Sequence, residues 1–218
     1  PYKNDVIPYL AQIDELAAKM GSVNTLVRVD GGYKGYNTDM TGLYRAMSSD
    51  GVSIQGEQVI VLGAGGVGRA VAFMCAAKGA AHVWLLNRTV EKAAEVAKEV
   101  NLAEGRSCVE TLAMSDYDKL PDEKYLVIQS TSVGLYPHVE DAVITDPAFY
   151  HKVKAGYDLI YRPWETRFMQ LVKEQGAPAY NGLKMLLYQG IEAFELWNQC
   201  KIEDERAYKL YEMLRTTI

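Results

Sequence analysis

From Glu57 to Tyr180, short apolar runs alternate with amphipathic stretches, and this rhythm leaves the chain few architectures to adopt. Val59–Leu62, Val83–Leu86, Tyr125–Ile128, Tyr157–Ile160 and a weaker Ala177–Tyr180 read as strands, while 67–78, 90–100 and 165–175 carry helical periodicity. Strands separated by helices of that length are joined by βαβ crossovers, and a parallel sheet built from them must be covered on both faces. The expected fold is therefore α/β, with a doubly wound parallel sheet. Before this region, residues 5–20 space Ile7, Leu10, Ile13, Leu16, Ala17 and Met20 close to a 3.6 period. One or two short helices are expected there, with Pro8 near a start and Gly21 at the far end. Val23–Val29 and Tyr33–Tyr36 flank Asp30-Gly31-Gly32, which predicts a hairpin. Residues 183–215 read as one wholly helical segment turning Met185, Leu186, Ile191, Phe194, Leu196 and Trp197 inward.

The first strand of the alternating region runs directly into Gly63-Ala64-Gly65-Gly66-Val67-Gly68, with glycines at GxGxxG spacing and a helix following. Each missing Cβ has a use in a dinucleotide site. Gly63 permits the turn, Gly65 lets a pyrophosphate approach the backbone, and Gly68 lets helix and strand pack closely, while the helix N-terminus attracts phosphate charge. A glycine turn that merely reverses the chain is the bland alternative, but strand and helix stand where a Rossmann-type fingerprint needs them. An NAD site usually ends its second strand in an acid that holds the ribose hydroxyls. Here Asn87-Arg88-Thr89 occupies that place, with Lys92 one helical turn on. A guanidinium offers a 2′-phosphate a fork of charged donors, so the cofactor reads as NADP. Read blandly, Arg88 and Lys92 are solvated charges at a helix start, where cations are mildly unfavourable without an anion.

Composition removes other classes. The 28 acidic and 23 basic side chains give a net charge of −5 and are scattered, so no surface is built for nucleic acid or an anionic membrane. Cys75, Cys108 and Cys200 lie far apart without ligand spacing, so neither structural zinc nor a disulfide framework is expected, and no metal site is assigned. His82, His138 and His151 sit in no motif. A cytoplasmic protein is expected, with no secretory signal or membrane span.

A series of ordered motifs running through nearly the whole chain resembles that of one enzyme family. Pro1-Tyr2-Lys3 resembles the end of its threonine–x–proline–histidine-or-tyrosine–lysine motif, and Gly21-Ser22-Val23-Asn24-Thr25 resembles its GAVNT segment. Gly35-Tyr36-Asn37-Thr38-Asp39 matches its GYNTD motif. The nucleotide loop and Asn87-Arg88-Thr89 match in turn, and Ser130-Thr131-Ser132-Val133-Gly134-Leu135 resembles the loop that passes the nicotinamide. Asp158-Leu159-Ile160-Tyr161-Arg162-Pro163 with Thr166 resembles a DxxYxPxxT strand end. Gly182, Met185-Leu186 and Gln189-Gly190 resemble its closing GxxMLxxQG helix, and the family so resembled is that of the shikimate dehydrogenases. Gln129-Ser130-Thr131 departs from the more usual asparagine–alanine–threonine. No opening strand and helix with paired serines for a substrate carboxylate precede Pro1, so the chain is expected to be a fragment of a longer enzyme that binds NADP but turns shikimate over poorly.

The resemblance implies NADP-dependent interconversion of 3-dehydroshikimate and shikimate, with Lys3 and Asp39 as the catalytic pair. Asn24 and Gln189 would contact substrate hydroxyls. Tyr161 and Gly182 would line the nicotinamide and substrate cleft, with Thr131, Ser132 and Val133 beside the cofactor. A lysine ammonium can stabilise and protonate the alkoxide that forms when hydride reaches a ketone, and an aspartate can orient it. Apart from the resemblance, Lys3 reads as a terminal surface charge and Asp39 as the N-cap of a helix beginning at Met40. Asn24 then reads as a turn residue, Gln189 as a solvated helix position and Tyr161 as a packed strand end. The expected division is an NADP domain over 40–181, with 1–39 and 182–218 forming an incomplete α/β substrate domain that closes over the cleft. A monomer or homodimer is expected. The rival readings are an NAD-dependent quinate/shikimate dehydrogenase and a catalytically silent module that senses a metabolite.

Overall fold

The computed structural model describes residues 2–217. Pro1, which opens the Pro1-Tyr2-Lys3 motif, lies outside them. Contacts divide the chain into two compact units, Pro1–Ser49 with Leu183–Ile218, and Asp50–Gly182.

In the first unit a 3-10 turn at Ile7–Tyr9 carries Pro8 in its first turn and leads to β1 (Gln12–Ile13) and α1 (Glu15–Met20). The short strand was not expected, because its apolar spacing continues that of the helix. Its residues pair with Lys34 and Gly35, and Asp14 ends the strand and starts the helix, accepting from the Leu16 and Ala17 amides. Gly21 ends α1 in the left-handed conformation at φ 58°. β2 (Thr25–Val29) and β3 (Gly32–Tyr36) form the predicted hairpin, and β3 lies between β1 and β2 in a three-stranded mixed sheet. α2 (Thr38–Ser49) follows, burying Met40, Leu43, Ala46 and Met47. The contact division falls after α2 rather than at the expected 39/40, because one continuous helix belongs wholly to the core it helps to make.

The second unit is a six-stranded, wholly parallel sheet. Its elements in chain order are β4 (Gln58–Leu62), α3 (Gly66–Ala77), β5 (His82–Asn87), α4 (Val90–Glu104), β6 (Val109–Ala113), β7 (Tyr125–Gln129), α5 (Pro147–Tyr150), β8 (Val153–Asp158), α6 (Arg167–Glu174) and β9 (Ala179–Tyr180). The strand order β6-β5-β4-β7-β8-β9 reverses direction between β4 and β7, as a doubly wound sheet requires. Val59, Ile60, Val61 and Leu62 are all fully buried, so both faces of β4 are covered. On one face Ile60, Leu62, Tyr125 and Val127 pack with Phe149, Tyr150, Phe168 and Val172.

Two sequence expectations need correction here. β8 begins at Val153 and ends at Asp158, not at Ile160, because the Asp158 carboxylate accepts from the Ile160 amide and turns the chain out of the sheet. β6 was missed altogether, since an edge strand with exposed Glu110 lacks a continuous apolar run.

The closing segment, which belongs to the first unit, is two helices rather than one: α7 (Leu183–Asn198) and α8 (Asp204–Thr217). Gln199 adopts φ 51° at the break, and the buried Glu195 carboxylate accepts there from the Ile202 amide (2.7 Å) and the Lys201 ammonium (2.9 Å). Ile191 points inward as expected, but Phe194 and Trp197 are 48% and 60% exposed. Glu195 takes the inward position between them, held by the Arg45 guanidinium of α2 at 3.1 Å. Burial alone would push its pKa up. The Ile202 amide, Lys201 and Arg45 outweigh that and hold the carboxyl below its ordinary range.

Candidate active-site residues and nucleotide cleft

The first unit gathers four predicted residues from three distant stretches of sequence. The Val23 amide donates to the Lys3 carbonyl at 2.8 Å, which sets the N-terminal stretch of chain beside the start of the hairpin. The Lys3 ammonium reaches the Asp39 carboxylate at 2.5 Å, with side-chain exposures of 51% and 18%. Asn24 is not a free turn residue. Its carbonyl oxygen accepts from the Thr38 amide (2.9 Å), the Thr38 hydroxyl (3.2 Å) and the Thr25 hydroxyl (2.9 Å), so its amide NH2 is the group left to donate.

Asp39 is not the N-cap of α2. Asn37 takes that role: its side-chain oxygen accepts from the Met40 amide at 3.3 Å while its NH2 donates to the Ser22 carbonyl. Asp39 therefore sits in the first turn with its carboxylate available to Lys3. One turn further, Gly42 meets α7 at a point that leaves no room for a Cβ. A methyl there would stand 2.5 Å from the Gln189 backbone nitrogen. Gln189 is thus pinned against α2 one helical turn from Asp39.

In the second unit, the glycine loop stands at the C-terminal end of β4 beside the strand-order reversal. Gly63 has φ 103°, and a Cβ on it would lie 2.7 Å from Thr131 Cγ2. A Cβ on Gly68 would lie 2.0 Å from the Gly63 carbonyl oxygen. At Gly65, the N-cap of α3, an added Cβ meets no protein atom within 4 Å, so packing does not account for glycine there. Close approach of a ligand to backbone N–H groups would account for it, and the loop fits a pyrophosphate. Ala64, Gly66 and Val67 complete the loop, with Val67 half exposed.

Asn87 holds the loop to the second strand: its oxygen accepts from the Ala64 amide at 3.1 Å and its NH2 donates to the Thr89 carbonyl at 2.8 Å. This places Asn87 as a strut of the cleft. Thr89 is the N-cap of α4 and makes no side-chain cap bond, with Arg88 and Lys92 exposed on either side. Among the described residues neither cation has an ion-pair partner, which suits a 2′-phosphate. A cleft of about 610 Å³ runs from Asn87 and Arg88 to Thr131, Ser132 and Val133. Its other wall, Glu140 to Val143 and Thr145, left no sequence signal because it is irregular backbone.

Tyr161 is 39% exposed just beyond the end of β8. Gly182 lies against the same turn, donating its amide to the Ile160 carbonyl at 2.9 Å; a Cβ on it would come within 2.2 Å of the Leu159 carbonyl oxygen. Beneath the turn is a polar cluster with no counterpart among the predicted roles. Gln129 and Asp158 are fully buried at the ends of β7 and β8, and Thr166 is nearly so. Burial pushes the Asp158 carboxyl up to about 6, against hydrogen bonds from Thr166, the Ile160 amide and Gln129 that favour the ionised form. Residue type alone could not reveal this cluster, because a glutamine or aspartate ending a strand reads equally well as solvated.

Known proteins resemble this chain over most of its length. A family model described as shikimate/quinate 5-dehydrogenase matches residues 46–144, and one described as the shikimate 5′-dehydrogenase C-terminal domain matches 182–209. The shikimate dehydrogenase (NADP(+)) of Bacillus cereus is 40% identical over 204 residues, covering 90% of this chain and 70% of that protein. A chorismate mutase/shikimate 5-dehydrogenase fusion protein from Clostridium acetobutylicum superposes with a TM-score of 0.88 at 32% identity, covering all of this chain and 76% of the other. Shikimate 5-dehydrogenase from Thermus thermophilus, solved with NADP(H) and shikimate, gives a TM-score of 0.81 at 31% identity, covering all of this chain and 77% of that one. With two family models matched in order and a relative of that identity aligned over more than two thirds of its length, the chain belongs to the shikimate dehydrogenase family.

Proposed function

We propose that this chain reduces 3-dehydroshikimate to shikimate with NADPH and catalyses the reverse oxidation with NADP. The observation that carries the reading is the Lys3–Asp39 ion pair, set beside the Asn24 amide and one helical turn from Gln189. Gly63 to Gly68 would hold the pyrophosphate, Arg88 and Lys92 the 2′-phosphate, and Thr131 to Val133 with Tyr161 and Gly182 the nicotinamide half. When bound, the reduced cofactor supplies the hydride. Lys3 stands ready to donate its Nζ proton to the oxygen of the ring ketone as that oxygen gains charge, and half exposed, it recovers a proton from solvent. Asp39 keeps the ammonium aimed, and its second oxygen can accept from a ring hydroxyl. Asn24 donates through the NH2 that its own fixed carbonyl leaves outward, and Gln189 offers both donor and acceptor.

The substrate is a small molecule, and no helix among the described residues is long and apolar enough to cross a membrane. We read the protein as a cytoplasmic monomer or homodimer with no nucleic-acid partner; sedimentation checks the oligomeric state. A steady-state assay of shikimate with NADP and with NAD tests the function. Turnover with NADP is expected to exceed that with NAD. Preference for NAD with quinate would support the rival dehydrogenase, and tight ligand binding without turnover would support a sensor.

A further inference from the structure

We propose that Gln129 is a positioning residue: with Asp158 beneath it, it sets the backbone of Thr131–Val133 at the nicotinamide end of the cleft, and so governs hydride transfer and cofactor affinity without touching substrate. The proposal rests on the cofactor reading above.

The side chain of Gln129 is spent entirely inside the protein. Its oxygen accepts from the Thr131 amide at 2.5 Å. Its NH2 faces the Thr131 carbonyl (3.3 Å), the Val133 carbonyl (3.2 Å) and the Asp158 carboxylate (3.4 Å). One amide thus fixes both ends of a three-residue loop and ties it to the neighbouring strand. Asp158 cannot drift, since its first oxygen also accepts from the Ile160 amide at 2.9 Å and its second from the Thr166 hydroxyl at 2.6 Å. The same carboxylate therefore shapes the turn that bears Tyr161.

Ser130 anchors the loop from the other side. Its hydroxyl donates to the Leu62 carbonyl at 2.7 Å, just before Gly63, and Thr131 packs its methyl against Gly63. The loop is held between the glycine turn on β4 and the Asp158 turn on β8, at the reversal in strand order where open α/β sheets bind ligands. Buried polar groups are worth most when every member is satisfied, and an isosteric apolar side chain at 129 would strand the Thr131 amide and both carbonyls.

The test uses the full chain with Gln129→Leu, which keeps the packing volume, and Gln129→Asn, which keeps an amide too short to span the same partners. Binding is measured for NADP and for 2′,5′-ADP, which lacks the nicotinamide half; turnover is measured with shikimate. Gln129→Leu is expected to weaken NADP severalfold and lower kcat by about tenfold to a hundredfold, since small misplacements at a reacting centre cost that much. Affinity for 2′,5′-ADP and the KM for shikimate should stay within about twofold, and Gln129→Asn should show the same split to a smaller degree. Parallel loss of NADP and 2′,5′-ADP binding in both variants, or unchanged kcat and NADP affinity in both, overturns the proposal. If Gln129→Leu does not fold, the split is read from Gln129→Asn alone. Failure of the underlying reading looks different: the unsubstituted chain would then bind neither nucleotide, which overturns both.

Discussion

Removing the guanidinium of Arg88 takes from a 2′-phosphate its planar donor while leaving the rest of the cleft intact, because Arg88 supports no other group among the described residues. Arg88→Ala is expected to weaken NADP by about tenfold to a hundredfold, the worth of a charge-assisted hydrogen bond or two, and to leave NAD unchanged. Fluorescence titration with both nucleotides checks this, and a parallel loss of NAD would assign Arg88 a structural role. Lys3→Ala should lower kcat by roughly 10² or more with little change in substrate KM, because the proton matters chiefly in the transition state; normal kcat in this variant would reduce the ion pair to surface charge. Asp158 contributes a pH dependence of opposite sense to that of most carboxylates. Its folded-state pKa of about 6 lies above the ordinary 3.8, so the native state holds the proton more tightly than the unfolded chain. That contribution to stability is full below about pH 4 and is lost as pH rises through 6. Between pH 5 and pH 7 it amounts to about 1 kcal/mol, and denaturant unfolding of the chain and of Asp158→Asn should differ in slope against pH by that much. The reactive sulfur chemistry is equally local: Cys75 is buried with its thiol pushed up to about 12 by desolvation, and Cys108 is buried, so Cys200 alone should titrate rapidly with a thiol reagent before denaturation.

Within the strand–loop–helix element that opens the second unit, two glycines serve separable ends. Gly68→Ala would drive a methyl into the Gly63 carbonyl, a backbone atom that cannot step aside, and should cost several kcal/mol or prevent folding of the unit. Gly65→Ala meets no protein atom and should leave the melting temperature within a few degrees while abolishing most nucleotide affinity. Retained affinity in Gly65→Ala would remove the pyrophosphate from this loop. This is also the element most legible in the sequence, because strand, turn and helix each impose their own residue types within one short stretch. The edge strand β6 and the two-residue β1 were not legible: each draws its stability from a ladder with a distant partner, and neither needs the apolar run that marks a buried strand. The break between α7 and α8 was hidden for a related reason. No proline marks a stop within 183–215, and the helix ends because the buried Glu195 carboxylate offers the Ile202 amide a better acceptor than the helix does. The proposed roles of Lys3, Asn24, Asp39 and Gln189 rest on resemblance to a family, since no local periodicity links residues so far apart in sequence.

Each of the two compact units has its own task under the proposed function, which predicts how ligands redistribute protection along the chain. NADP should slow hydrogen exchange within Asp50–Gly182, above all near Gly63–Gly68 and Thr131–Val133, and at roughly 100 times its Kd should raise the unfolding free energy of that unit by about 2.7 kcal/mol. Protection confined to the other unit would reverse the assignment. The first unit, for its part, depends on a meeting of two helices at a residue with no side chain. Because Gly42 lets α7 lie directly on α2, the spacing between the carboxylate of Asp39 and the amide of Gln189 is written into helical geometry and not into any bond between them. A single added carbon at 42 would stand 2.5 Å from the Gln189 backbone nitrogen and force the two helices apart. Under the proposed function, the grip on a polyhydroxylated ring is therefore a matter of how closely two helices approach, and the empty position at 42 sets that distance.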